Sequence, residues 1–277
     1  MNVDFPILYE DEQVVAITKP AGVVVNRSHT HATDTVQDWM ERRYPGNFQF
    51  SIFNSQNSEA ETFKERSGIA HRLDKETSGV LLCAKTPESL QSLFLQFKNR
   101  QIHKTYVALV HGKMSPEVGA IDLPISRDSH FRLRFAVREG GRSSQTEYEL
   151  IRYYPHFLTA VFESQKDRPQ ISTSIQGLSK NIRRATKNYQ GFSLLKLTPK
   201  TGRTHQIRVH LSHLNHPIVS DQLYSGKKRQ YLDSLWCPRH FLHAQEIQFS
   251  HPTSGKPITV SSELPDDLKK ALQFVGE

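Results

Sequence analysis

The chain has 277 residues, with 36 Lys and Arg against 28 Asp and Glu, giving a formal charge of +8 at neutral pH. That length can bury a sizeable core, and the basic surplus suits a polyanionic partner. Cys83 and Cys237 lie far apart, and no apolar run reaches membrane-spanning length, which excludes a disulfide framework, a Cys-x-x-Cys zinc ribbon and a membrane span.

Met1 to Phe5 lack the basic-then-apolar order of a secretory leader, so a soluble protein of the reducing cytoplasm is expected. The hydrophobic fraction of 36% implies extended polar loops.

Ile7–Tyr9 and Val14–Ile17 are apolar runs separated by three acidic residues and predict a hairpin, broken by the turn Lys19-Pro20-Ala21-Gly22. Thr35 to Tyr44 predicts a helix that stops before Pro45-Gly46, and Asn47 to Ser67 reads as a long polar loop. Val80–Ala84 predicts a buried strand. Thr86-Pro87-Glu88 then places a capping hydroxyl, a proline and an acid at a helix start, with Leu90, Leu93, Phe94 and Phe97 on one face.

Further strands are predicted at Gln101–Val110, Arg132–Val137, Gln145–Tyr153, Phe157–Phe162 and Phe192–Leu197. Between the last two, Lys180, Arg183, Arg184 and Lys187 would share one face of a helix, either solvated or set against RNA. Thr204 can cap a helix bearing Ile207, Leu211 and Leu214. A hairpin follows around Pro252-Thr253-Ser254-Gly255, and Leu264 to Val275 predicts a closing helix. Strands outnumber helices and often adjoin, which favours antiparallel or mixed pairing in an α+β fold. No repeat or linker divides the chain, so one catalytic domain over residues 1–277 is expected, with polar insertions near 47–67 and 165–191.

Chemistry concentrates at Gly68-Ile-Ala-His-Arg-Leu-Asp-Lys-Glu-Thr-Ser-Gly79, which sets Asp74 at a strand-to-loop edge two residues after Arg72. A carboxylate kept ionised there can serve as nucleophile or general base. No Gly-rich phosphate loop or dinucleotide fingerprint accompanies it, so neither a nucleotide cofactor nor a bound metal is expected.

This stretch resembles the signature loop of the RluA-type pseudouridine synthases. Three further segments resemble that family in chain order: Gln101–Gly112 around Tyr106, Leu197–His210 with its Gly-Arg-Thr-His-Gln-Ile-Arg run, and Arg239–Ala244. The opening Leu8–Asp11 with Lys19–Gly22 resembles the first family motif, which begins so early that no separate RNA-binding module is expected ahead of it.

The resemblance implies the pseudouridine synthase catalytic fold, a mixed, mostly antiparallel sheet flanked by helices. It also implies isomerisation of uridine in ribosomal or transfer RNA without a cofactor. The chemistry agrees, because moving the glycosidic bond from N1 to C5 needs no oxidation, hydrolysis or group donor.

By the same resemblance Asp74 is the nucleophile, and its point of attack stays open. Arg208 pairs with it and favours its ionised form, Tyr106 stacks on the target base, and Arg72 fills the space of the flipped nucleotide. His71, Arg203, Thr204, His205 and Gln206 are expected to contact substrate, the last four through phosphate near a helix N-terminus. The partner is expected to be RNA presenting a loop uridine, which costs less to extrude, and the enzyme a monomer.

His210, His213 and His216, with His205, invite a zinc site, but the helix meets Pro217 and no acidic ligand follows, so structural or RNA-contacting roles are favoured. The rival functions are a catalytically silent RNA-binding protein on the same fold and a metal-dependent RNA hydrolase.

Overall fold

The computed structural model describes residues 4–28, 31–49, 58–158 and 189–276. The basic face at 180–187 lies outside them. In chain order the elements are β1 (Ile7–Glu10), β2 (Val14–Lys19), α1 (Val36–Arg43), α2 (Pro45–Gln49), α3 (Ser58–Arg66), β3 (Ser78–Ala84) and α4 (Pro87–Lys98). Next come β4 (His103–His111), β5 (Val118–Asp122), β6 (Ile125–Arg127), β7 (Phe135–Val137), β8 (Gln145–Tyr154), β9 (His156–Phe157) and β10 (Phe192–Pro199). The chain then forms α5 (Gln206–His213), α6 (Lys227–Ser234), β11 (Leu242–Ser250), β12 (Pro257–Ser261), α7 (Asp266–Leu272) and β13 (Val275–Gly276).

These elements gather into two compact units, residues 1–105 with 243–263, and residues 106–242 with 264–277. In the first unit β1 and β2 form the expected hairpin, and β2 pairs antiparallel with β3 from Val14↔Ala84 to Lys19↔Gly79. Every residue of β3 is buried, as in a strand covered on both faces. β3 runs parallel to β11 through His243↔Ser78 and Ala244↔Gly79, and β12 returns antiparallel on β11. The parallel pair joins strands far apart in sequence, so no local pattern announces it.

Local chemistry accounts for the helix starts. The Thr35 hydroxyl accepts from the amide of Asp38, while the Asp38 carboxylate accepts from the amide of Thr35. Thr86 caps α4 through the amide of Ser89, with Pro87 in the first turn. Leu90 and Leu93 then pack on a core that includes Val14, Ala16, Val80, Leu82, Ile247 and Phe249. One expectation fails here. Within the segment read as a loop, residues 47–49 belong to α2 and residues 58–66 are helical, the latter because Ala60 and Phe63, three apart, bury one face and Phe63 stacks on Phe48 at 5.1 Å.

In the second unit β4, β10, β8 and β5 are antiparallel neighbours, with Tyr106 opposite Leu197 and Leu197 opposite Tyr148. β6 and β7 make a separate short hairpin, and β9 pairs with β13. Phe157, Tyr189, Phe192, Trp236 and Phe274 pack ring on ring, for example Phe157 to Trp236 at 5.3 Å and Tyr189 to Phe192 at 5.1 Å. Beside them the buried Asp233 carboxylate contacts His111 Nε2 at 2.8 Å and accepts from the Tyr189 hydroxyl at 2.7 Å and the Ser220 amide at 2.9 Å.

Three further expectations are corrected. Residues 132–134 form the hairpin's turn rather than strand, held by the Asp128 carboxylate accepting from the amides of His130 and Phe131. The helix after Thr204 is capped by His205 in left-handed backbone (φ 56°), without a side-chain cap. The closing helix ends at Leu272, and the chain turns back into β13. The α+β class with mixed, mostly antiparallel pairing stands as expected.

Candidate active site

Asp74 is half-buried between the buried Leu73 and the buried Thr77. The amide of Thr77 donates to the Asp74 carbonyl at 3.1 Å, which closes the turn. The Lys75 carbonyl receives two donors from the Lys19–Val23 turn, the Gly22 amide at 2.9 Å and the Lys19 ammonium at 3.1 Å. Lys19 is fully buried and also donates to the carbonyls of Pro20 and Val23. A buried ammonium surrounded by carbonyls is tolerated because its donors are matched. It ties the first family-like motif to the carboxylate loop.

The loop exits into β3 through Ser78 and Gly79. Gly79 has φ +123°, and a Cβ there would lie 2.1 Å from the Ala244 carbonyl oxygen, so only glycine fits. Next to it the Ser78 hydroxyl meets His243 Nδ1 at 3.0 Å, and His243 Nε2 donates to the Ser262 carbonyl at 3.0 Å. The buried imidazole is therefore a strut under the loop. Its place in the Leu-His-Ala segment was the only sequence signal for that role.

His71 faces inward. Its Nε2 accepts from the Leu82 amide at 3.0 Å and its ring lies 5.2 Å from that of Phe97. Burial, with the charge of Lys104, pushes it down to about 3, so it is neutral near pH 7. The Lys104 ammonium sits 5.7 Å from the Phe97 centroid and burial pushes it down to about 8. Arg72 is exposed.

The second unit holds the other predicted residues. Tyr106 is buried on β4, and Arg208 is buried on α5. Asp221 clamps Arg208 in a two-point ion pair, Nε to Oδ2 at 2.7 Å and the second guanidinium nitrogen to Oδ1 at 3.0 Å. Burial pulls the Asp221 carboxyl up, but hydrogen bonds and charge from Arg208 outweigh it and hold the group below the usual carboxylate range. The Tyr224 ring covers the guanidinium at 5.1 Å. The Tyr224 hydroxyl lies 2.9 Å from His205 Nδ1. Sequence reading missed Asp221 and Tyr224, because neither sits in a recognisable motif.

Gln206 is also buried, and its amide is fully engaged. Oε1 accepts from the Thr201 hydroxyl and the Arg203 amide, and Nε2 donates to the Gln145 carbonyl and the Thr146 hydroxyl. It shapes the turn that presents Arg203 and Thr204. Arg203 is exposed and donates to the Ser143 carbonyl at 3.1 Å, and Thr204 is half-buried.

The spaced histidines separate. His210 meets the Thr146 hydroxyl and the Leu123 carbonyl, His216 meets the His111 carbonyl, and His213 is exposed. Among the described residues no three His, Cys, Asp or Glu side chains converge as metal ligands would.

The family described as RNA pseudouridylate synthase matches residues 13–213. The ribosomal large subunit pseudouridine synthase D of Xanthomonas campestris is 32% identical over all of this chain and 71% of its own length. An uncharacterized RNA pseudouridine synthase of Aquifex aeolicus is 31% identical over all of this chain and 74% of its own. The solved human RNA pseudouridylate synthase domain containing 1 has the same fold, with a TM-score of 0.63 at 23% identity over 95% of this chain and 84% of that one.

Fold and sequence together define an isomerase that acts on RNA. The chain belongs to the RNA pseudouridylate synthase family, in agreement with the RluA-type resemblance of its motifs.

Proposed function

We propose that this enzyme converts chosen uridines of ribosomal RNA to pseudouridine, with Asp74 as the carboxylate that attacks the target nucleoside. The observation that carries the assignment is the fixing of the Asp74 loop. Both the Lys19 ammonium and the Gly22 amide hold the next carbonyl, while the carboxylate-bearing residue stays half-exposed. A nucleophile needs that combination of fixed backbone and access.

In the reaction the N1–C1′ bond breaks and the C5–C1′ bond forms. C5 gives up its proton to water, and N1 ends protonated. Asp74 engages the nucleoside while the detached uracil turns, and is released unchanged. Tyr106 and Arg208 keep the parts that the family resemblance gives them, and Arg72, exposed beside Asp74, takes the space of the extruded nucleotide. His71 and Gln206 act on the protein itself, as positioning residues.

Ribosomal RNA is favoured because several relatives carry the name ribosomal large subunit pseudouridine synthase D. A transfer RNA loop is the second substrate class, and a monomer working in the cytoplasm completes the reading.

The test is release of tritium from C5-labelled uridine in unmodified ribosomal or transfer RNA transcripts, with no added metal or nucleotide. Wild type is expected to release label into water. Asp74→Ala and Asp74→Asn are expected to bind RNA and release none. Turnover by either variant sinks the assignment of Asp74, and binding without release by wild type returns the silent RNA-binding reading.

A further inference from the structure

The β6–β7 hairpin is short, and its tip is unusual for a surface. Phe131 is 61% exposed and Leu133 is 77% exposed, two large apolar side chains side by side in solvent. Around them residues 127–138 hold four arginines, Arg127, Arg132, Arg134 and Arg138, against one carboxylate, Asp128. Asp128 is engaged by the amides of His130 and Phe131 and serves the turn.

Two of the guanidiniums lie over aromatic faces. Arg134 lies 5.2 Å from the Phe131 centroid and Arg127 lies 4.9 Å from that of Phe135, while Arg138 donates to the Ser129 hydroxyl at 2.8 Å. The tip is a hydrogen-bonded turn carrying exposed apolar surface edged with positive charge.

The first residue of β7, paired with Arg127 beside the turn, joins the hairpin to the residues around Arg208. The Phe135 amide donates to the Tyr224 hydroxyl at 2.9 Å, and the Phe135 ring meets the His205 ring edge-on at 5.7 Å. Tyr224 in turn covers Arg208, which Asp221 clamps. The hairpin is thus braced on the Arg208 cluster by a hydrogen bond and a ring contact.

We propose that the β6–β7 hairpin is an RNA-gripping surface, in which Phe131 and Leu133 pack on an unpaired base or ribose of the RNA and Arg127, Arg132, Arg134 and Arg138 hold the flanking phosphates. Charge complementarity selects the partner. Arginines spread along one hairpin suit a phosphodiester backbone, and an exposed aromatic ring stacks on any base. The inference rests on the reading of this chain as an enzyme that works on RNA.

The experiment uses the full chain and an unmodified large-subunit ribosomal RNA transcript labelled at uridine C5, with binding and label release measured on the same preparations. Three variants are compared with wild type: Phe131→Ala with Leu133→Ser, Arg132→Gln with Arg134→Gln, and Lys256→Gln as an exposed control in the other unit. Both hairpin variants should weaken binding tenfold or more and lower kcat/KM through KM. The arginine pair should also make the salt dependence of log K shallower by about two, roughly one per lost phosphate contact, and the control should bind as wild type does.

Unchanged binding and salt slope in the hairpin variants overturns the proposal. So does an equal loss in Lys256→Gln, which would reduce the effect to net charge. Loss of self-association with no loss of RNA binding would assign the apolar tip to a second copy of the chain. Failure of label release by wild type would count against the proposed reaction and leave the hairpin to be judged on binding alone.

Discussion

The Lys19 ammonium donates to the Lys75 carbonyl across 3.1 Å, so a side chain at the end of β2 holds the backbone just after Asp74. Fifty-six positions separate the two residues. The buried cation completes three carbonyls at once, and nothing shorter or uncharged could do so.

Lys19→Met should therefore leave the carbonyls of Pro20, Val23 and Lys75 short of a donor and loosen the Asp74 loop. A stability loss of about 2–4 kcal/mol is expected, from unsatisfied buried polar groups. In urea unfolding the midpoint falls. In steady-state assays on the folded fraction kcat falls more than KM rises. A KM change alone would show that Lys19 does not position the loop.

Asp221→Asn should take away the carboxylate that clamps the buried Arg208 guanidinium at two points. Removing one partner of a buried pair costs about 3–5 kcal/mol. The same pair sets an acid limit. The folded-state carboxyl titrates below the ordinary value of 3.8, so its contribution to stability is present above that value and disappears as pH falls through the lower folded value. Unfolding measured below pH 4 should converge for wild type and Asp221→Asn, and curves that stay parallel to the lowest pH would contradict the role given to the pair.

His71 gives a different pH signature. Folded, it titrates near 3, against 6.5 when unfolded, so between those values the unfolded chain takes up a proton that the folded chain refuses. Stability should fall as pH drops from 6.5 towards 3. His71→Gln, which keeps an acceptor for the Leu82 amide, should flatten that part of the profile. An unchanged slope in the variant would place the effect elsewhere.

Gly79→Ala should be among the most damaging changes available. The added methyl meets the Ala244 carbonyl at 2.1 Å with φ at +123°, and the obstacle is backbone, which cannot swing aside. A loss of at least ~3 kcal/mol is expected, with a matching drop in thermal midpoint. A soluble variant with wild-type midpoint would show that β3 and β11 do not meet as described.

Where a local signal was strong, the amino-acid sequence alone determined the outcome, whereas the Thr204 cap and the strand expected over 132–134 failed. Thr35 with Asp38, and Thr86 with Pro87, fixed helix starts within a few residues, and alternation or apolar runs placed β1, β2, β3, β8 and β10. Asp74, Tyr106 and Arg208 could be singled out because their motifs are contiguous. The helix at 58–66 escaped because only Ala60 and Phe63 mark its buried face amid polar neighbours.

Tertiary structure decided which groups serve each other across long stretches of chain. It paired Arg208 with Asp221, set His243 beneath Ser78, aimed the Lys19 ammonium at the Lys75 carbonyl, and turned the amide of Gln206 inward. Each of these depends on a buried polar group finding its complement. The demand for a partner can be read from a residue's chemistry, but the partner's identity is fixed only when folding excludes water and brings distant strands together.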